Sequence, residues 1–142
     1  MNLQNLNYHA YDIDQSDIDF LNNYFNVMKQ KGLNGKAEVF SLIKLWENPE
    51  LLKKIPNSDI IFLFKVLDIL DQSQGDHKFS EDIIQLLMQK TKFIVASFAT
   101  KTITRKPMNF PNRKWFELML NRIKLKFTTI NLENEIFYII SK

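Results

Sequence analysis

Through most of this sequence apolar residues return every third or fourth position, and that spacing constrains the fold more than any other feature. In SDIDFLNNYFNVMKQKG, Leu21, Tyr24, Phe25 and Met28 follow an i, i+3, i+4, i+7 pattern, which gathers them on one face of an α-helix. Ser16 can cap that helix, the early aspartates complement its positive end, and Gly32 can stop it. KAEVFSLIKLWEN repeats the pattern through Val39, Leu42, Ile43 and Trp46. NPELLKKIP then offers Asn48 as a cap, Pro49 at the first helical position and Pro56 as the stop.

SDIIFLFKVLDILDQ reads as a central helix. IIFLF alone would suit a strand, but Lys65, Asp68 and Gln72 recur on one helical face. SEDIIQLLMQKTKFIVASF opens on a serine cap and an acidic first turn, and residues 93–104 are β-branched enough to be either helix or strand. NRKWFELMLNRIKLKF supplies a stripe of Phe116, Met119, Leu120, Ile123 and Phe127, and NLENEIFYIIS a short closing helix. The expected architecture is all-α: a single-domain bundle or short stack of six to seven helices over residues 16–142, preceded by an N-terminal arm of residues 1–15.

Composition agrees with one globular domain. A chain of 142 residues can hide roughly 68–70% of its unfolded surface, and twelve Phe within a 45% hydrophobic content are ample for a core. Three Gly and four Pro argue against a fibrous or disordered chain. No Cys means no disulfide, thiolate metal site or thiol nucleophile. The start, MNLQNLNYHAYDID, lacks the order of a secretory signal. The apolar runs IIFLF and FIVASFA are far short of the ~20 residues a membrane helix needs. A soluble cytoplasmic protein is expected.

Acidic stretches invite a metal reading that their spacing does not support. Asp12, Asp14, Asp17 and Asp19 resemble a calcium loop, but its glycine and glutamate positions hold Asp17 and Asn23; they read instead as an acidic helix start. GLNGKA has only two residues between its glycines and Ala37 after Lys36, so it is not a phosphate loop. As a helix–turn–helix corner it would expose Glu38 and Glu47 to phosphates, which suits base reading poorly. Asp68, Asp71, Asp76, His77, Glu81 and Asp82 crowd within fifteen residues, as a solvated loop or as an acidic docking face for a basic partner. No metal or cofactor is expected.

Charge is divided unevenly: residues 1–89 hold thirteen acids and eight Lys, whereas residues 90–142 hold eleven cations and three acids. The cations include Lys101, Arg105, Lys106, Arg113 and Lys114, beside Phe110 on a proline-punctuated segment. Such a mixture serves protein contacts or phosphate and base contacts. No nucleophile elbow or paired general base appears. The expected function is therefore a non-catalytic protein-binding module. An immunity or inhibitor protein that sterically neutralises a cognate partner such as a toxin fits best; the alternative is a nucleic-acid-binding accessory protein using residues 101–114.

Overall fold

The computed structural model describes residues 6–74, 77–102, 106 and 112–142 of the chain. They form a mixed α/β fold with six strands in two sheets, not the expected all-α bundle. Two compact units divide the chain, residues 1–44 and 45–142, and the short helix α2 (Leu42–Glu47) contains the division.

The first unit is built on a parallel pair. β1 (Leu6–Asp12) and β2 (Leu33–Val39) run in register from Leu6 beside Leu33 to Asp12 beside Val39. Between them α1 spans Gln15–Met28, and a 3-10 turn over Lys29–Lys31 ends at Gly32, whose φ of 85° sits in the left-handed region. α1 forms where helical spacing predicts it, but its cap is Asp14 rather than Ser16: the Asp14 carboxylate accepts from the Ser16 and Asp17 amides. Ile18 and Phe25 of α1 bury against Leu33 and Ala37 of β2. Asn22 ties helix to strand, accepting from Ala37 N–H at 2.9 Å and donating to Ala37 C=O at 3.0 Å.

The second unit carries the larger sheet, in the order β3-β4-β6-β5. A 3-10 turn over Pro49–Lys54, capped by Asn48, precedes β3 (Ser58–Phe64). The chain then crosses through α3 (Leu67–Gln74) and α4 (Lys78–Leu87) to β4 (Thr91–Ala99), which pairs parallel to β3. α5 (Lys114–Arg122) leads to β5 (Lys126–Asn131) and β6 (Glu135–Ser141), and β6 lies antiparallel between β4 and β5.

Four of the expected helices are therefore strands wholly or in part. The helix expected over SDIIFLFKVLDILDQ breaks at Lys65, whose φ of 54° carries a non-glycine residue into left-handed space. Residues before it extend as β3; only those after it coil as α3. Lys124, with φ 59°, breaks the stripe of NRKWFELMLNRIKLKF in the same way. The Leu125 amide there returns to the Leu120 carbonyl at 3.0 Å, and Phe127 passes into β5. The expected closing helix is β6, in which Ile136, Tyr138 and Ile140 alternate into the core. KAEVF joins β2 instead of opening a helix.

The core of this unit lies on one face of the sheet. Ile94, Ala96 and Phe98 of β4 and Tyr138 and Ile140 of β6 are fully buried there with Phe79, Ile83 and Ile84 of α4 and Phe116 and Leu120 of α5. Phe98, Phe116 and Tyr138 meet edge to face, with centroids 4.9–5.7 Å apart. Burial of side chains this size contributes about 1.5–3 kcal/mol each.

Candidate functional site at the carboxyl ends of the parallel strands

Parallel α/β sheets present ligand sites beyond the carboxyl ends of their strands, where the connecting loops gather. In the first unit that end is marked by Asp12, the last residue of β1, and Asp14, the cap of α1. Asp12 is exposed; its Oδ1 accepts from the Asp14 amide at 2.9 Å. Asp14 takes bonds from the Ser16 hydroxyl at 2.6 Å and amide at 2.7 Å, and these hold its carboxyl below the usual carboxylate range. The expectation of a mere acidic helix start overlooked β1 in front of it. Strand, acid, then helix is the pattern that nucleotide folds use to hold ribose hydroxyls.

In the second unit the carboxyl ends of β3 and β4 meet the β5–β6 turn. The Lys65 amide reaches the Ser97 carbonyl at 3.1 Å, and its Nζ lies 3.0 Å from Glu135. The Thr100 amide donates to the Asn134 carbonyl at 3.0 Å, and Lys101 Nζ meets Glu133 at 2.8 Å. That hydrogen bond, then the lysine charge, holds the Glu133 carboxyl below its ordinary range.

From this end the cation-bearing segment departs, and Arg113 marks its return. The Arg113 guanidinium places Nε 3.1 Å and Nη2 2.8 Å from Asp68 Oδ2, and Nη2 also donates to the Ala99 carbonyl at 3.1 Å. Its side chain lies over the Phe98 ring, 5.4 Å from the centroid. The Arg113 amide donates to the Tyr138 hydroxyl at 3.1 Å, which in turn donates to Glu117 at 3.0 Å. Burial above all, reinforced by the neighbouring Glu117 carboxylate, pushes the Tyr138 phenol up to about 12. Beside this network Trp115 stacks on His77, centroids 3.8 Å apart and planes within 7°. Asp71, buried, accepts from the Ser80 amide at 3.0 Å and hydroxyl at 2.7 Å and holds His77 Nδ1 at 3.1 Å.

Those residues singled out from sequence that are among the described ones thus have definite places. Of the acids, Asp68 is bound to Arg113, Asp71 to Ser80 and His77, and Glu81 to Arg122. Asp82 accepts from Trp46 Nε1 at 2.9 Å; Asp76 lies outside the described residues. Of the cations, Lys101 and Arg113 are engaged by Glu133 and Asp68, whereas Lys106 and Lys114 are exposed. Arg105 and Phe110 lie outside the described residues. No cluster of three His, Asp or Glu able to hold a metal ion occurs among the described residues, and no helix among them is long and apolar enough to cross a membrane. Tyr138 and Glu117 carried no signal in the sequence, because their partner Arg113 is brought to them only by the sheet.

No protein-family model and no curated protein sequence matches the chain. Solved structures do. The chain is similar to the 16S rRNA methylase ArmA, with TM-score 0.60 and 27% identity over 94% of this chain and 61% of that one. It is similar in fold to WbdD in a high-resolution crystal structure, with TM-score 0.65 and 10% identity over 94% of this chain and 30% of that one. A further structure, of the bifunctional kinase-methyltransferase WbdD, gives TM-score 0.63 at 9% identity, covering 94% and 29%. The chain therefore spans less than two thirds of ArmA and under one third of WbdD. The fold is methyltransferase-like. This likeness overturns the expectation of a non-catalytic immunity-type or accessory binding module, for which nothing in the structure speaks.

Proposed function

We propose that the chain is part of a methyltransferase whose acceptor is RNA and whose methyl donor is S-adenosylmethionine. The supporting observation is the 27% identity to ArmA across 94% of the chain. Bound S-adenosylmethionine supplies a methyl group activated by its sulfonium for transfer to a nucleophilic nitrogen or oxygen. Asp12 fits a nucleoside of this kind: an exposed carboxylate at the carboxyl end of a parallel strand can accept from ribose hydroxyls. Lys106, Lys114 and Arg105 supply cations for acceptor phosphates, on or beside the segment that leaves β4. Arg113, bound to Asp68 and Ala99, positions that segment without spending its charge on a ligand. Work on such an acceptor belongs in the cytoplasm.

The test is binding of S-adenosylhomocysteine by calorimetry, together with transfer of labelled methyl to 16S rRNA. Asp12→Asn should weaken nucleoside binding and leave RNA retention unchanged. Lys106→Glu with Lys114→Glu should do the reverse and reduce the salt slope of RNA binding by about 0.9 for each duplex phosphate no longer neutralised. A chain that retains neither nucleoside nor RNA at low salt refutes the reading.

A further inference from the structure

The side of α1 turned away from its strands is not finished as a solvent surface. Ile18 and Phe25 enter the core of the first unit, yet Phe20 and Val27 are 69% exposed and Tyr24 45%. From Asp17 through Phe20, Tyr24 and Val27 to Lys31 the spacing alternates between three and four residues. That alternation makes the seam along which two helices pack at a shallow crossing of about 20°. Surface helices ordinarily keep such a side polar.

The two ends of this row carry opposite charge. Asp14, Asp17 and Asp19 stand at its start, and residues 1–28 contain no Lys or Arg. Lys29 and Lys31 stand at its finish, and no acid occurs between Asp19 and Glu38. Lys29 keeps right-handed helical angles, so α1 runs on into the turn that carries Lys31. Asp17 and Lys31 are exposed, and among the described residues neither has an ion-pair partner. Nucleic acid or an anionic membrane surface would be repelled by the aspartates. A second α1 laid parallel would set like charges together. Laid antiparallel, it sets unlike charges together at both ends.

We propose that two copies of the chain pair through this row, α1 against α1, antiparallel about a two-fold axis near Tyr24. Tyr24 then meets Tyr24 of the second copy, Phe20 comes beside its Val27, and Asp17 beside its Lys31. Such an interface is isologous, so each ion pair occurs twice. Asp17 and Lys31 lie about 21 Å apart along the helix axis, which places the two pairs on either side of the aromatic centre. Three apolar side chains from each copy cover less than the ~800 Å² that each partner gives to a stable interface. The dimer is therefore a weak one, formed as concentration rises. It needs nothing from the methyl-transfer chemistry proposed above.

The test is sedimentation equilibrium of the full chain from about 1 μM to about 1 mM. The expected result is a monomer at the low end that becomes a dimer before the high end. Asp17→Lys alone and Lys31→Asp alone should each weaken the dimer about tenfold or more, since each sets like charges together at both ends. Mixed in equal amounts, the two variants should recover a dimer, because every like pair becomes an unlike one. The chain has no cysteine, so Asn23→Cys can carry a single spin label with the charges left in place. In mixtures with unlabelled copies it should broaden the NMR signals of Phe20, Tyr24 and Val27 above all others. A chain still monomeric at about 1 mM overturns the proposal, as does a dimer that both charge reversals leave intact. So do broadening centred elsewhere on the chain, and failure of the mixed variants to pair while their helicity shows both to be folded.

Discussion

Arg113 and Asp68 join two loops at the carboxyl end of the larger sheet: both Nε and Nη2 of Arg113 fall on the same Asp68 oxygen, at 3.1 and 2.8 Å. Asp68 opens α3 just after β3, and Arg113 ends the segment that leaves β4. The arginine side chain is only 10% exposed and the aspartate 29%. Asp68→Asn should thus remove the carboxylate charge from beside a nearly buried cation that keeps the Ala99 carbonyl, and cost on the order of 2 kcal/mol, below the range for fully buried pairs. Urea denaturation should show a lower midpoint at unchanged slope. Arg113→Lys should be nearly as damaging, since an ammonium cannot engage Asp68 and the Ala99 carbonyl in the same fork.

Tyr138 predicts an alkaline weakness. Its phenol is raised to about 12 in the folded chain against 10.0 ordinarily. The unfolded chain therefore gives up its proton first, so stability is complete below pH 10 and declines as pH rises from about 10 to about 12. Tyr138→Phe should flatten that decline. At neutral pH it should cost about 1–3 kcal/mol, because the Arg113 amide loses its buried acceptor. Phenolate absorbance measured alongside unfolding separates the two effects.

Asp14 predicts the opposite, acidic dependence in the first unit. Its carboxyl is held below the ordinary value by the Ser16 hydroxyl first and then by the Ser16 and Asp17 amides. The stability it contributes is present above the ordinary carboxylate value and fades as pH falls through the lowered one. Asp14→Asn should keep the cap but lose this acid dependence, while Asp14→Ala should lose both. Helicity followed through an acid titration distinguishes the three chains.

Gly35 of β2 faces the ring of Phe25, and a Cβ built there would overlap that ring. Gly35→Ala should cost about 1–3 kcal/mol through overpacking. Phe25→Leu added to it should recover part of the loss, as a thermal melt of the single and double variants will show. If the two substitutions merely add, the close approach is not the cause.

Asp71 should matter more than its partner His77. Asp71→Ala deprives both the amide and the hydroxyl of buried Ser80 of an acceptor, at about 1–3 kcal/mol for each group left unpaired. His77→Ala removes a ring whose side chain is 55% exposed and should change stability by under about 1 kcal/mol. Its mark should be optical: the Trp115 emission should shift once the stacked imidazole is gone.

How much of this was legible depended on period. α1, α4 and α5 could be read because their apolar residues keep helical spacing along Phe25, Ile83 and Phe116. β3 could not, because an unbroken apolar run such as Ile60–Phe64 has no period and the polar rhythm of Asp68 and Gln72 begins only beyond Lys65. In β6 the alternation of Ile136, Tyr138 and Ile140 was masked by Phe137 and Ile139 on the other face. The cations of residues 101–114 were visible as a group. That Glu133 engages Lys101 and Asp68 engages Arg113 was not, since those partners lie 32 and 45 residues away in sequence.

The clasp of Arg113 on the Ala99 carbonyl, with Thr100 on Asn134 at the other foot, fixes where residues 102–112 start and finish. A stretch moored at both ends can be recoded or changed in length while its moorings stay put. Exchanging it between related chains is thus a way to change what this end of the sheet presents without rebuilding the scaffold beneath.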